Sequence, residues 1–130
     1  MITNKIFIYA LEYNPTKKLY IGSTVNLEKR YKTHLTLLKK GKHQSKELQE
    51  DFNKFGEDFS VYILEEIENP SEYIQDGYRQ VTKRSLAEYK WMKTYNTVYS
   101  GYNSQDQIAR KCIEGNYEFP IKDGKPPLPE

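Results

Sequence analysis

Tyr9, Tyr20, Arg30, His34 and Glu88 are the side chains here whose types and spacing combine into a chemistry. An arginine clamps an anion through charge-assisted hydrogen bonds, a phenol or imidazole transfers a proton, and a carboxylate holds a hard cation. Those are the parts of a phosphodiester hydrolase. Singly, each has a plainer use. Buried tyrosines mostly pack with satisfied hydroxyls, His34 can be an ordinary helix-face residue, Arg30 a surface charge, and Glu88 a solvated acid. Arg30 and His34 stand four residues apart, so a helix projects both from one face.

The elements that must carry these residues are legible. Residues 5–12 alternate Ile6, Ile8 and Ala10 with Phe7, Tyr9 and Leu11, the pattern of a well-buried strand. Turn residues at 13–16 lead to a second strand over 18–22, so the pair forms a hairpin. Thr24 or Asn26 caps a helix to about Lys40, with Leu27, Tyr31, Leu35 and Leu38 as its apolar stripe and Gly41 past its end. Ser45 caps a second helix with core positions Leu48, Phe52 and Phe55, closed by Gly56. A third strand spans 59–67, a short helix is expected over 71–77, and a longer helix runs from about Val81 to Tyr95. In that last helix Leu86, Tyr89 and Met92 have core spacing and Glu88 lies on a neighbouring face. Residues 99–103 read as extended, and after Ile108 the chain turns irregular. This order predicts an α+β domain, a small three-stranded antiparallel sheet flanked by helices.

Composition narrows the function. The 130 residues make one domain, and a single cysteine, Cys112, rules out an internal disulfide framework and a cysteine-based zinc site. The longest wholly apolar run, Ile6–Leu11, is far shorter than a membrane span, and the N-terminus carries no signal-peptide pattern. These features predict an intracellular, cytoplasmic protein with no membrane partner. The net charge of +2 hides a pattern. Residues 1–50 hold ten Lys/Arg against four Asp/Glu, residues 51–72 hold one against seven, and residues 73–111 hold seven against three. Two basic segments around an acidic one can give a nearly neutral protein a positive face suited to a polyanion.

In order along the chain, the motifs have a family look. Phe7-Ile8-Tyr9 and Tyr20-Ile21-Gly22-Ser23, with Tyr20 eleven residues after Tyr9, resemble the paired signature of the GIY-YIG nuclease superfamily. Residues 26–34, with Arg30 and His34 four apart, resemble its next motif. Residues 48–56 and Ile63-Leu64-Glu65-Glu66-Ile67 resemble the phage homing endonucleases of the family in particular. Glu88, fifteen residues before Asn103, matches the metal-ligand glutamate and closing asparagine. The resemblance spans about residues 5–105. Phe7 replaces the first glycine of the motif, and the connection from Ile67 to Glu88 is longer than in compact members.

The resemblance implies a metal-dependent DNA endonuclease occupying residues 1–105, with an irregular tail over 106–130. It implies one divalent cation, Mg²⁺ or Mn²⁺, on Glu88 and the scissile phosphate, with Arg30 balancing transition-state charge. Tyr9 is the candidate general base, with Tyr20 and His34 near enough to share the proton, and the choice between Tyr9 and His34 stays open. Asn103 is expected to fix the site's geometry by hydrogen bonds. Gly22, Lys29, Lys32 and His43 are expected against double-stranded DNA, and a double-strand break would need a homodimer or two successive events. The homing enzymes carry a separate DNA-binding domain; with 27 residues after Asn103, such a domain is expected to be absent here. The alternative is a nucleic-acid-binding module that keeps the fold and has lost cleavage, though the arginine, the glutamate and both tyrosines are all present.

Overall fold

Two apolar faces on one strand require cover on both sides, and this decides the layering. In the computed structural model, which describes residues 5–76 and 79–103, β1 (Lys5–Tyr13) is the central strand of a three-stranded antiparallel sheet. It lies between β2 (Lys18–Thr24) and β3 (Phe59–Glu68). Ile6, Ile8 and Ala10 join Leu19 and Ile21 of β2 against Ala87, Met92 and Tyr95 of α3 (Lys83–Tyr95). On the opposite face Tyr9, Leu11 and Tyr13 join Tyr20 against Leu38 of α1 (Leu27–Lys39) and Leu48 of α2 (Lys46–Phe55). The expected α+β architecture is therefore present, as one sheet between two helical layers.

Capping starts α1 and α2 where the sequence places them, and Thr82 caps α3. The side chains of Asn26, Ser45 and Thr82 accept from the backbone N–H groups of Lys29, Leu48 and Ser85, satisfying donors that the first helical turn leaves orphaned. At the other end, Gly101 approaches β2 so closely that a Cβ there would lie 2.6 Å from the Leu19 carbonyl oxygen. The Tyr102 N–H donates to that same carbonyl at 2.8 Å, tying the end of the described chain to the sheet edge.

Four expectations need correction. The segment read as a short helix over 71–77 is the hairpin β4 (Tyr73–Asp76) and β5 (Arg79–Thr82), paired from Tyr73↔Thr82 to Asp76↔Arg79. Its Tyr, Ile, Val and Thr content favours strands. The following helix consequently begins at Lys83, and its buried face carries Ala87, Glu88, Met92 and Tyr95 rather than Leu86 and Tyr89, which are half-buried. Residues Thr97–Ser100 form a helical turn, α4, and residues 101–103 follow as a bend rather than a strand. Phe55, expected in the core, is 59% exposed at the end of α2. The end of the expected short helix at Gly77, Cys112 and the tail over 106–130 lie outside the described residues. Among the described residues no helix is long and apolar enough to cross a membrane.

Candidate active site

The site is built around the β2 edge of the sheet. Gly22 on β2 lies directly opposite Tyr9 on β1, and the Tyr9 ring passes over it. A Cβ at Gly22 would sit 2.5 Å from the Tyr9 hydroxyl oxygen and 2.7 Å from Cζ, so only glycine leaves room for this ring. Between Ile8 and Tyr9 the pairing with β3 shifts register, from Ile8↔Glu65 to Tyr9↔Ile63, a bulge of the kind that re-aims a side chain beside a site. Because residues alternate along β2, Tyr20 and Gly22 face the α1 side while Ser23 faces α3. The Ser23 hydroxyl donates to Glu88 Oε2 at 2.8 Å. Tyr9, Tyr20, Arg30, Gln44, Arg84 and Glu88 thus converge around the edge on one cleft of about 430 Å³.

Behind Tyr9 runs a buried chain of ring nitrogens whose polarity follows from one backbone group. The Ser45 N–H donates to His43 Nδ1 at 3.0 Å, and a backbone amide has no other option. Neutral His43 therefore carries its proton on Nε2 and donates it to His34 Nδ1, 2.7 Å away. His34 in turn carries its proton on Nε2 and donates it to the Tyr9 oxygen, also at 2.7 Å. Arg30 Nε donates to the same oxygen at 3.3 Å. With two donors on its oxygen, Tyr9 has its own proton left to turn toward the cleft. Both histidines are neutral. Burial, then the nearby Arg30 charge, holds His34 down to about 3 and His43 to about 4. Burial pushes the Tyr9 phenol above its ordinary value near 10, opposed by the Arg30 charge. Arg30 loses some basicity to burial but ends raised by the two phenols, Tyr9 and Tyr20.

Not every expected residue reaches the cleft. His43, expected at DNA, is 7% exposed and bonded through both ring nitrogens, with its backbone N–H held by Gln49 Oε1 at 3.0 Å. Burial leaves it no face for a phosphate, and it supports Tyr9 from behind. Asn103 clips the chain to β2. Its Oδ1 accepts from the Ile21 N–H at 2.8 Å and its Nδ2 donates to the Ile21 carbonyl at 2.9 Å, bracketing the strand between Tyr20 and Gly22. Lys29 and Lys32 are exposed on α1 and do not line the cleft; Lys32 pairs with Glu28 at 3.2 Å. Ser23, Gln44, Arg84 and the Ser45 amide are members that sequence reasoning missed. Gln44 donates to the Tyr20 hydroxyl, and Arg84 Nε donates to Ser23 Oγ at 2.7 Å. A signal existed for Arg84, which precedes Glu88 by one helical turn on a basic helix start.

The donor set fits a hard divalent cation. Glu88 is a carboxylate 8% exposed on the wall of a cleft whose other polar side chains are hydroxyls, guanidiniums and the Gln44 carboxamide. No cluster of three His, Cys, Asp or Glu residues exists among the described residues. A single carboxylate suits an ion that keeps most of its coordination for water and substrate oxygens, as Mg²⁺ does, and does not suit a caged zinc site.

Fold and site together define a catalytic domain, and comparison with known proteins agrees. Residues 5–103 match the GIY-YIG catalytic domain. Intron-associated endonuclease 1 of Enterobacteria phage T4 is 37% identical over 99 residues, covering 76% of this chain and 36% of that protein. A solved point variant of the catalytic domain of intron endonuclease I-TevI superposes with a TM-score of 0.65 at 35% identity, covering 76% of this chain and 92% of that one. The catalytic domain of homing endonuclease I-TevI superposes with a TM-score of 0.61 at 36% identity, covering 75% and 96%. The chain belongs to the GIY-YIG family of nuclease domains. It spans about a third of the length of the curated relative it matches.

Proposed function

We propose that this domain is a divalent-metal-dependent DNA endonuclease with one active site per chain, occupying residues 1–105. The observation that carries the reading is the convergence of Tyr9, Tyr20, Arg30 and Glu88 on one cleft at the sheet edge. The T4 relative bears the name of an intron-associated endonuclease, which supports DNA as the substrate.

In this reading Arg30 sets its guanidinium beside the scissile phosphate and balances charge on the pentacoordinate transition state. Glu88 would hold the cation, Mg²⁺ or Mn²⁺, which when bound supplies Lewis-acid stabilisation of the phosphate and of the departing oxygen. Tyr9 serves as the base for the attacking water. The polarity of the histidine chain favours it over His34, because His34 Nε2 already carries a proton and points it at Tyr9. Once the Tyr9 proton has left for solvent, Arg30 and His34 both donate to the phenolate, and that phenolate accepts the proton of the water. Tyr20, held by Gln44, borders the same phosphate, and Asn103 keeps the Tyr20–Gly22 segment straight. One such site cuts one strand, so a double-strand break needs a homodimer or two successive events.

Incubating the purified protein with supercoiled plasmid, with Mg²⁺ or Mn²⁺ and then with EDTA, tests the reading. Nicked circles that depend on the cation are expected. Binding with no cleavage under either cation would instead favour a nucleic-acid-binding module that keeps the fold. Linear product that rises with the square of protein concentration would identify the dimer.

A further inference from the structure

Arg84 belongs to none of the motifs, yet it stands in the cleft. The β4–β5 hairpin delivers it there. Lys83 and Arg84 donate their backbone N–H groups to the carbonyls of Glu72 and Pro70 at 2.9 and 3.1 Å, which fixes the start of α3 against the chain leaving β3. Thr82 caps that start. The Arg84 side chain then reaches across to β2, where Nε donates to Ser23 Oγ at 2.7 Å and Nη2 to the Ser23 carbonyl at 3.5 Å. Ser23 has one hydroxyl proton, and it goes on to Glu88 Oε2. One edge of the guanidinium is thus pinned to β2, one hydroxyl away from the carboxylate. The residue as a whole is exposed and lines the same cleft as Arg30 and Glu88. Nη1 makes no hydrogen bond among the described residues.

A planar fork anchored along one edge, with its other edge presented to solvent beside a carboxylate, is suited to an anion that arrives with its own oxygens. Arg30, bonded to Tyr9, sits on the α1 side of the sheet edge; Arg84 sits on the α3 side, one turn before Glu88. A polynucleotide crossing the cleft brings phosphates at regular spacing to both sides. We propose that Arg84 is a second phosphate-binding residue, gripping a phosphate next to the scissile one on the Glu88 side, while its Ser23 contact positions the Glu88 carboxylate. This rests on the nuclease reading given above.

The test compares the parental protein with Arg84→Gln and Arg84→Lys, each checked by thermal unfolding. Fluorescence anisotropy with a short labelled duplex, in EDTA and across a range of NaCl concentrations, gives the slope of log affinity against log salt. Losing one phosphate contact should make that slope shallower by about 0.9 in Arg84→Gln. Arg84→Lys, which keeps the charge, should retain the parental slope. It should nonetheless nick plasmid more slowly in kcat, because an ammonium lacks the second donor edge that holds Ser23 toward Glu88. If Arg84→Gln keeps the parental slope while nicking falls, the residue only positions Ser23 and Glu88, and the phosphate contact is wrong. A slope reduced as much in Arg84→Lys as in Arg84→Gln also overturns it, since the charge would then not be what binds. Failure of the parental protein to nick under any cation would sink the nuclease reading, whereas the salt slopes judge Arg84 separately.

Discussion

The Tyr9 oxygen collects donors from Arg30 and His34, and that choice of partners has consequences for pH. If Tyr9 is the base, only its ionised form accepts the proton of the water. Burial holds its pKa above the usual phenol value, so the ionised fraction climbs about tenfold per pH unit through neutrality. Log kcat/KM for nicking is then expected to rise with a slope near one between about pH 6 and 9, and Tyr9→Phe should lose most of the activity. If His34 were the base, its pKa near 3 would leave it fully deprotonated above about pH 5, and the same profile would be flat. A flat parental profile would therefore remove Tyr9 from the role. Glu88 makes a second expectation at this scale. In Glu88→Gln the amide oxygen still accepts from Ser23, so folding should change little, but the charge that would hold the cation is gone. Nicking should fall by orders of magnitude while duplex binding persists. Glu66→Gln is the proper control, because among the described residues Glu66 makes only a solvent-accessible pair with Lys5 at 3.5 Å. Glu65 is not inert, since Lys90 and Trp91 both donate to it at 2.8 Å. A Glu88→Gln protein nicking at the parental rate would refute the metal-site assignment.

Elements place these residues by simple alternation, and one missing side chain makes the placement possible. Gly22 lies under the Tyr9 ring, so Gly22→Ala forces a methyl group into space held by Cζ and the hydroxyl oxygen. Overpacking of this kind destabilises by about 1–3 kcal/mol. The displaced hydroxyl should also lose its contacts with His34 and Arg30, so nicking should fall much further than the melting temperature alone explains. Thermal unfolding and plasmid nicking measured together check this, and full activity in Gly22→Ala would show that the ring has another resting place. The strands and the capped helices were legible because their signals are local: period-two alternation in 5–12, and Asn26 and Ser45 ahead of helical stripes. The inward positions of Tyr9, Arg30 and Glu88 followed from the same patterns joined to the family resemblance. What stayed hidden lay in segments of weak apolar contrast or in polar contacts that follow no period. Tyr73-Ile74-Gln75-Asp76 is too short to show a period, so the hairpin passed for a helix. His43 carries no sequence mark of burial, which is why it is expected at DNA. Its burial depends on Ser45, Gln49 and His34 closing around it, polar contacts that link α1 to the start of α2 and leave no apolar period in the sequence.

Across the whole molecule the two basic stretches belong to opposite sides of the cleft. Residues 17–46 supply β2, α1 and Arg30, residues 79–93 supply β5, α3 and Arg84, and the acidic stretch 51–72 runs through the end of α2 and β3, the strand farthest from the β2 edge. A duplex approaching the edge therefore meets positive charge on both flanks, which needs no contribution from beyond Asn103. The last motif residue also closes the structure. Its side chain satisfies both backbone groups of Ile21, on the unpaired side of the edge strand that carries Tyr20 and Gly22. A chain ending at residue 105 keeps this clip, and it should melt as the parental protein does and nick plasmid at a similar rate. A chain ending at residue 102 loses it. With the Ile21 N–H deprived of its acceptor, a penalty of about 1–3 kcal/mol is expected, felt first where β2 presents Tyr20 and Gly22 to the cleft. The pair of truncations separates two ideas of where the domain ends. Equal melting and nicking in the two truncated chains would mean that Asn103 does not hold the edge. A large loss already at residue 105 would place part of the core, or a contact between two copies, in residues 106–130.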